Sequence, residues 1–98
     1  MNCVTGVEFY GPPPPNDRNR VRISGSNLKY PTQAADVESQ SFDASGHGTA
    51  VRPAVKILNP SGTQCEAQLA HYAADYQVKV RMRCSDGSWS TWLTAKKD

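Results

Sequence analysis

The chain has 98 residues, with 11 lysines and arginines against 9 aspartates and glutamates, so its formal net charge is only +2. A chain of this length fits one domain with a single modest core, which predicts one domain over residues 1–98. So small a charge argues against a nucleic-acid-binding protein, and the short apolar runs exclude a membrane-spanning helix.

Turn-forming residues recur at short intervals, and several stretches between them alternate apolar with polar side chains, which predicts an all-β chain. The first predicted strand is VTGVEFYG, with Val7 and Phe9 on one face. The second is NRVRISGS, with Val21 and Ile23 on one face. The proline run 12–15 between them is predicted to bridge or edge the sheets, because proline has no backbone N–H. The alternative interpretation is a ligand for an aromatic groove.

The middle of the chain predicts fewer regular elements. Residues 29–50 are mostly polar, so we expect one short strand there, anchored by Val37 and Phe42, within long loops. The next stretch predicts two strands that reverse at residues 59–62, an Asn-Pro-Ser-Gly turn. The side chains expected to point inward from these two strands are Val55, Ile57, Cys65, Ala67 and Leu69.

The stretch DYQVKVRMRC alternates without a break. One face of the predicted strand carries Tyr76, Val78, Val80, Met82 and Cys84, and the other carries Gln77, Lys79, Arg81 and Arg83. We expect this half-buried strand to form the centre of the core, since each larger inward side chain contributes ~1.5–3 kcal/mol. The following Asp86-Gly87 pair predicts a tight hairpin that turns the chain back.

The returning strand, SWSTWLTA, contains two tryptophans three residues apart. A regular strand would place these rings on opposite faces, so a bulge or local twist is needed to align them. Aligned on the outer face, they would stack on the cations of the previous strand, each contact adding ~0.5–1 kcal/mol. The candidate interaction surface therefore consists of Lys79, Arg81, Arg83, Trp89 and Trp92. The alternative is a ladder that only covers the outer side of the sheet.

These last two strands carry a family resemblance. The alternation from Tyr76 to Val80, the glycine turn and the Trp89-to-Trp92 segment resemble the end of fibronectin type III domains, and Trp-Ser-x-Trp is similar to the box of cytokine receptors. Leu93 stands where that box has its final serine, and Leu69 is similar to the leucine before the family's tyrosine corner. The resemblance implies a single antiparallel two-sheet sandwich of about seven strands, fibronectin type III or immunoglobulin-like.

Candidate chemical groups do not form a recognisable motif. Cys3, Cys65 and Cys84 are odd in number, which predicts reduced, mostly buried thiols, with one pair plus one free thiol as the alternative. His47 and His71 are predicted to be solvated surface residues, because the cysteines and histidines lack the spacing of zinc ligands. No nucleophile motif surrounds a cysteine, and the loop carboxylates lack calcium-loop spacing. We therefore expect no enzyme activity, no metal and no cofactor.

The first functional hypothesis is a structural or binding module. The chain starts at Met1 without a secretion signal, which favours a cytoplasmic origin and suits reduced cysteines. Free-standing domains of the resembled families are similar to accessory proteins of tailed phages. The hypothesis is a virion component, either a capsid decoration or a tail protein, that is assembled in the host cytoplasm and docks on a repeating protein lattice. It leaves open whether the protein forms a homo-oligomer.

The second hypothesis is an extracellular module, either an adhesion or receptor domain or the accessory domain of a carbohydrate-active enzyme. In the last case Tyr10, Trp89 and Trp92 would stack on sugar rings. A disulfide between Cys65 and Cys84 would favour this hypothesis, since disulfides persist in oxidising compartments. Neither hypothesis includes a nucleic-acid or membrane partner.

Overall fold

The computed structural model describes residues 2–10, 19–72 and 74–97, so the predicted proline run lies outside the described residues. Within these ranges the chain forms eight strands and one short 3-10 turn, Ala34–Asp36. The strands are β1 (Val4–Tyr10), β2 (Arg20–Gly25), β3 (Val37–Phe42), β4 (Arg52–Pro53), β5 (Lys56–Leu58), β6 (Gln64–Gln68), β7 (Gln77–Met82) and β8 (Leu93–Thr94). No helix in the described ranges is long and apolar enough to cross a membrane.

The strands pair into two four-stranded antiparallel sheets, with the orders β1-β2-β6-β5 and β4-β3-β7-β8. This arrangement confirms the predicted all-β, two-sheet sandwich. The predicted single strand in the 29–50 region is β3, which lies beside β7 with Val37 opposite Met82 and Ser39 opposite Val80. The predicted turns also form, with Asn59 and Gly87 in the left-handed backbone region at φ of 45° and 88°.

The core lies between the sheets and follows the predicted alternation closely. Its buried side chains include Val7, Phe9, Val21, Ile23, Cys65, Ala67, Leu69, Val78, Val80 and Met82. Because each strand alternates with a period of two, these residues share the inner faces and leave the charged residues on the outer faces. Ile57 and Leu93 pack against this cluster from its margin.

The prediction for Val55 is wrong, since this side chain is 61% exposed. The stretch predicted as one strand divides into β4, which pairs with β3, and β5, which pairs with β6 in the other sheet. At the crossing, the Ala54 N–H donates to the Val37 carbonyl and the Val55 N–H donates to the Gln68 carbonyl. Ala54 is buried there, and the alternation does not continue across the change of sheet. This division also explains why the sandwich has more strands than predicted.

The prediction for Tyr76 is also wrong, because its side chain is 63% exposed. Tyr76 precedes β7, which begins at Gln77, so the ladder does not impose the inward direction on it. Its carbonyl instead accepts a hydrogen bond of 2.9 Å from Lys97 Nζ. The expected tyrosine corner is therefore not formed by a buried Tyr76.

A disulfide joins Cys3 to Cys84, and Cys65 is the free, buried cysteine of the described chain. The prediction of three reduced thiols is wrong for Cys3 and Cys84, and the alternative of one pair plus one free thiol is confirmed. The partner of Cys84 is not Cys65. Burial raises the pKa of the Cys65 thiol to about 11, so this residue behaves as an unreactive core side chain.

The disulfide closes a sequence separation of 81 residues, so reduction should destabilise the fold strongly. A loop of that length predicts a loss of about 4 kcal/mol in the free energy of unfolding, because the unfolded chain gains freedom. Urea denaturation with and without a phosphine reductant measures the effect. The control is the Cys3→Ala/Cys84→Ala variant, whose unfolding midpoint should not respond to the reductant; an unchanged midpoint in the native chain would contradict the prediction.

Candidate functional site

The five residues of the candidate surface come together on the outer face of the β4-β3-β7-β8 sheet. We call this set, Lys79, Arg81, Arg83, Trp89 and Trp92, the ladder face. Arg83, just after β7, lies opposite Trp89, and Val80 lies opposite Leu93. Val80 and Arg83 are three residues apart, whereas Trp89 and Leu93 are four residues apart. The returning chain thus contains one extra residue, the bulge that the tryptophan spacing required.

Arg81 is the centre of the ladder face. Its guanidinium carbon lies 4.4 Å from the ring centre of Trp89 and 4.7 Å from that of Trp92. Its Nη2 atom also lies 2.6 Å from a carboxylate oxygen of Glu38 on the neighbouring strand β3. One cation therefore makes two ring contacts and an ion pair at once, which combines cation–π attraction with charge pairing.

The other two cations are similarly occupied. Arg83 lies 4.2 Å from the ring centre of Trp89, donates a 2.7 Å hydrogen bond to the Gly87 carbonyl and lies 3.7 Å from an Asp36 carboxylate oxygen. Lys79 lies 5.1 Å from the ring centre of Phe42. Each cation of the ladder face thus has a partner within the sheet, which supports the interpretation of the ladder as a cover.

Ser90 holds the bulge in place, and it was not identified from the sequence. Its side chain is buried, its N–H donates 2.9 Å to the Met82 carbonyl, and its hydroxyl oxygen accepts a 3.1 Å hydrogen bond from the Met82 N–H. These two bonds fix the chain between the tryptophans against β7. The residue could have been noticed as the polar residue of Trp-Ser-x-Trp that must satisfy backbone groups at a bulge.

The acidic partners of the ladder were also missed, because the sequence does not show which strands are neighbours. Burial opposes the charged form of Asp36, but hydrogen bonds from the Lys29 ammonium and the Gln33 N–H outweigh it and hold the pKa of Asp36 below its usual value. Glu38 therefore pairs with Arg81, and Asp36 is shared between Lys29 and Arg83. Lys79 is the cation of the ladder face whose contact is with an aromatic ring and not with a carboxylate.

His71 was predicted to be a solvated surface residue, and this prediction is wrong. The side chain is only 8% exposed, with Nδ1 2.9 Å from the Ser39 hydroxyl and Nε2 3.2 Å from the Thr49 hydroxyl. Ser39 itself is fully buried on β3. The imidazole thus ties the loop that follows β6 to β3 and to the loop after β3.

The remaining candidate groups do not gather around the ladder. Tyr10 lies on the other sheet, with the Arg22 guanidinium 4.7 Å from its ring centre, so it shares no face with the tryptophans. His47 is an exposed loop residue, as predicted, and Asp43 accepts hydrogen bonds from the Ser45 and His47 amides of its own turn. Among residues 2–10, 19–72 and 74–97, no three His, Cys, Asp or Glu side chains are grouped to hold a metal ion.

No protein-family model, curated protein or solved structure matches this chain. A sandwich fold hosts many unrelated functions, so a role must be argued from the surface chemistry of the chain itself. The relevant observations are the disulfide, the ladder face and the exposed cations outside it.

Arg81→Ala should lower the free energy of unfolding by about 2 kcal/mol, because two ring contacts of ~0.5–1 kcal/mol each and one partly buried ion pair of ~0.2–1 kcal/mol are lost. Lys79→Ala is the matched control, since Lys79 has one ring contact, and it should cost less than about 1 kcal/mol. Urea denaturation of the two variants gives both values. Equal losses would show that Arg81 is not the centre of the ladder.

Stability should fall as the pH drops below about 6.5, because burial lowers the pKa of His71 in the folded protein. Nearby Asp75 favours the charged ring and Arg52 disfavours it, but burial is the largest effect. At a pH between the ordinary histidine pKa and the lowered pKa of folded His71, the unfolded chain binds more protons than the folded chain. The loss of stability therefore begins as the pH falls through the ordinary pKa and is complete below the lowered pKa.

Thermal unfolding measured across this pH range tests the assignment. The His71→Gln variant should lose most of the slope, whereas His47→Gln, which removes an exposed ring, should retain it. If His71→Gln keeps the full slope, another group controls the pH dependence.

Proposed function

We propose that this chain is a non-enzymatic sandwich module, of fibronectin type III or immunoglobulin-like character, that binds another protein in an oxidising environment outside the cytoplasm. The Cys3–Cys84 disulfide is the observation that carries this proposal. Disulfides persist in secreted, periplasmic and surface-exposed proteins and are rare in a reducing cytosol.

The strand order supports the family character. In their order across the sheets, β1, β2, β6 and β5 take the places of strands A, B, E and D, and β4, β3, β7 and β8 take those of C′, C, F and G. The tryptophans of the Trp-Ser-x-Trp segment stack on Arg81 of the strand that corresponds to F. Both features agree with the resemblance of the last two strands.

A binding role is favoured over catalysis by the state of the reactive side chains. Cys65 and Ser39 are fully buried, and each ring nitrogen of His71 faces a hydroxyl group within 3.2 Å. A nucleophile needs access to substrate as well as a nearby base. These residues stabilise the interior, and the exposed surface is left for binding.

A protein partner is favoured over a sugar. The sugar hypothesis uses Tyr10, Trp89 and Trp92 as exposed rings for stacking, but Tyr10 lies on a different sheet from the strand that the tryptophans contact. Arg81 lies within stacking distance of both indole rings, and Arg22 lies over Tyr10. Contacts with a partner would therefore use other surfaces.

The virion hypothesis stays a prediction. Virion surfaces also meet oxidising conditions, so the disulfide is compatible with an exposed decoration protein. What the disulfide disfavours is a role completed in a reducing host cytoplasm. The extracellular and virion hypotheses therefore differ in whether the chain is part of a virus particle.

Counting thiols in protein isolated from its source tests the environment. Alkylation of the denatured protein before reduction should modify one cysteine, Cys65, and alkylation after reduction should modify three, as seen by intact mass. Three modified cysteines before reduction would contradict the proposal. Sedimentation of the same material separates the hypotheses, because a free extracellular species supports the proposal and cosedimentation with virus particles supports the virion alternative.

A further inference from the structure

One stretch of the chain carries positive charge without any acidic residue. Residues 44–65 contain Arg52, Lys56 and His47 but no aspartate or glutamate. Arg52 and Lys56 are both exposed, and no carboxylate of the described residues forms an ion pair with either of them. Their charge is therefore available, unlike that of Arg81 and Arg83 on the ladder face, which lie beside Glu38 and Asp36.

The same stretch contains an unpaired sheet edge. β5 is the last strand of the order β1-β2-β6-β5, so among the described residues no strand pairs with its outer side. Val55 directly precedes β5 and is 61% exposed, whereas Val51, 41% exposed, directly precedes β4, the edge strand of the other sheet that carries Arg52. We call β5 together with Val51, Arg52 and Val55 the basic edge, because the chain passes directly from β4 to β5 there. An edge strand with exposed apolar side chains is a template for another extended segment.

One paired row of the neighbouring sheet face adds a third cation, whereas the next row holds the Arg22–Glu66 ion pair. Lys56 pairs with Gln68 on β6, and Gln68 pairs with Arg20 on β2. Residues paired in one row point to the same face, so Arg20 and Lys56 flank a neutral glutamine next to the edge. Arg20 also lacks an ion-pair partner among the described residues.

These charges select the kind of strand that fits. A second copy pairing through β5 would place the Lys56 residues of both chains on adjacent strands, and like charges on adjacent strands destabilise the pairing. A strand with carboxylates would instead be attracted to these cations. Its apolar side chains would cover Val51 and Val55.

We propose that the basic edge binds an extended, acidic strand of a partner protein, added to the free side of β5. This inference rests on the proposed binding role and names its surface and the chemistry of the partner. Backbone pairing with β5 supplies the docking direction, and the pairing of carboxylates with Arg52 and Lys56 supplies the selectivity.

The probe is a short, capped peptide of alternating glutamate and valine, titrated into nitrogen-15-labelled protein and followed by amide chemical shifts. The largest changes should fall on residues 52–58 and on the paired strand β6. The Arg52→Glu/Lys56→Glu variant should weaken binding about tenfold or more, because both charge contacts become repulsive. Its amide spectrum shows whether the fold is retained.

The Lys96→Glu/Lys97→Glu variant is the matched control, since it changes the net charge equally and Lys96 lies beside β1, the opposite edge of the same sheet. It should keep the affinity to within about twofold. The inference is overturned by an absence of shifts at millimolar peptide, by shifts centred on the ladder face, by equal loss in the control, or by equal binding of a lysine–valine peptide. Each of these failures leaves the thiol count and the sedimentation result unchanged, so the proposed function is tested separately.

Discussion

The two-residue alternation of β7 is the constraint on which the rest of the structure depends. Val78, Val80 and Met82 are fully buried between the sheets, and this fixes the direction that every side chain of the strand takes. A slip of one residue would bury Arg81 and expose the valines, which costs far more than any surface contact returns. The core and the ladder face are thus two consequences of one pattern, and a substitution that alters the register would remove both.

The arrangement of the outer side of β7 depends on a second, weaker constraint, the bulge in the returning chain. The bulge around Ser90 brings both indole rings to the face where Arg81 lies, and the two hydrogen bonds between Ser90 and Met82 hold it there. Met82 therefore serves both sides, with its side chain in the core and its backbone fixing the returning chain. The turn at Gly87 only reverses the chain direction between β7 and the returning chain.

Local patterns explain what could be predicted. Alternation and turn chemistry depend on neighbours in sequence, so the strands, the two turns and the assembly of the ladder face were foreseeable. The failures involve partners distant in sequence. Cys84 bonds a residue 81 positions away, His71 is buried because its loop folds onto Ser39, and the alternation predicted for Val55 stops where the chain changes sheets. The function of the surfaces depends on a partner and is outside what such patterns describe.

The availability of charge distinguishes the two cationic regions of the molecule. Aromatic and arginine side chains are common at the centres of interfaces, which makes the ladder face attractive at first sight. Yet Arg81 is already stacked and paired with Glu38, so a partner would have to break those contacts before forming its own. At the basic edge, Arg52 and Lys56 have no such contacts to lose among the described residues, and the edge of β5 still offers backbone groups. A cation that is exposed and unpaired is therefore a better guide to a docking surface here than one that lies beside a tryptophan.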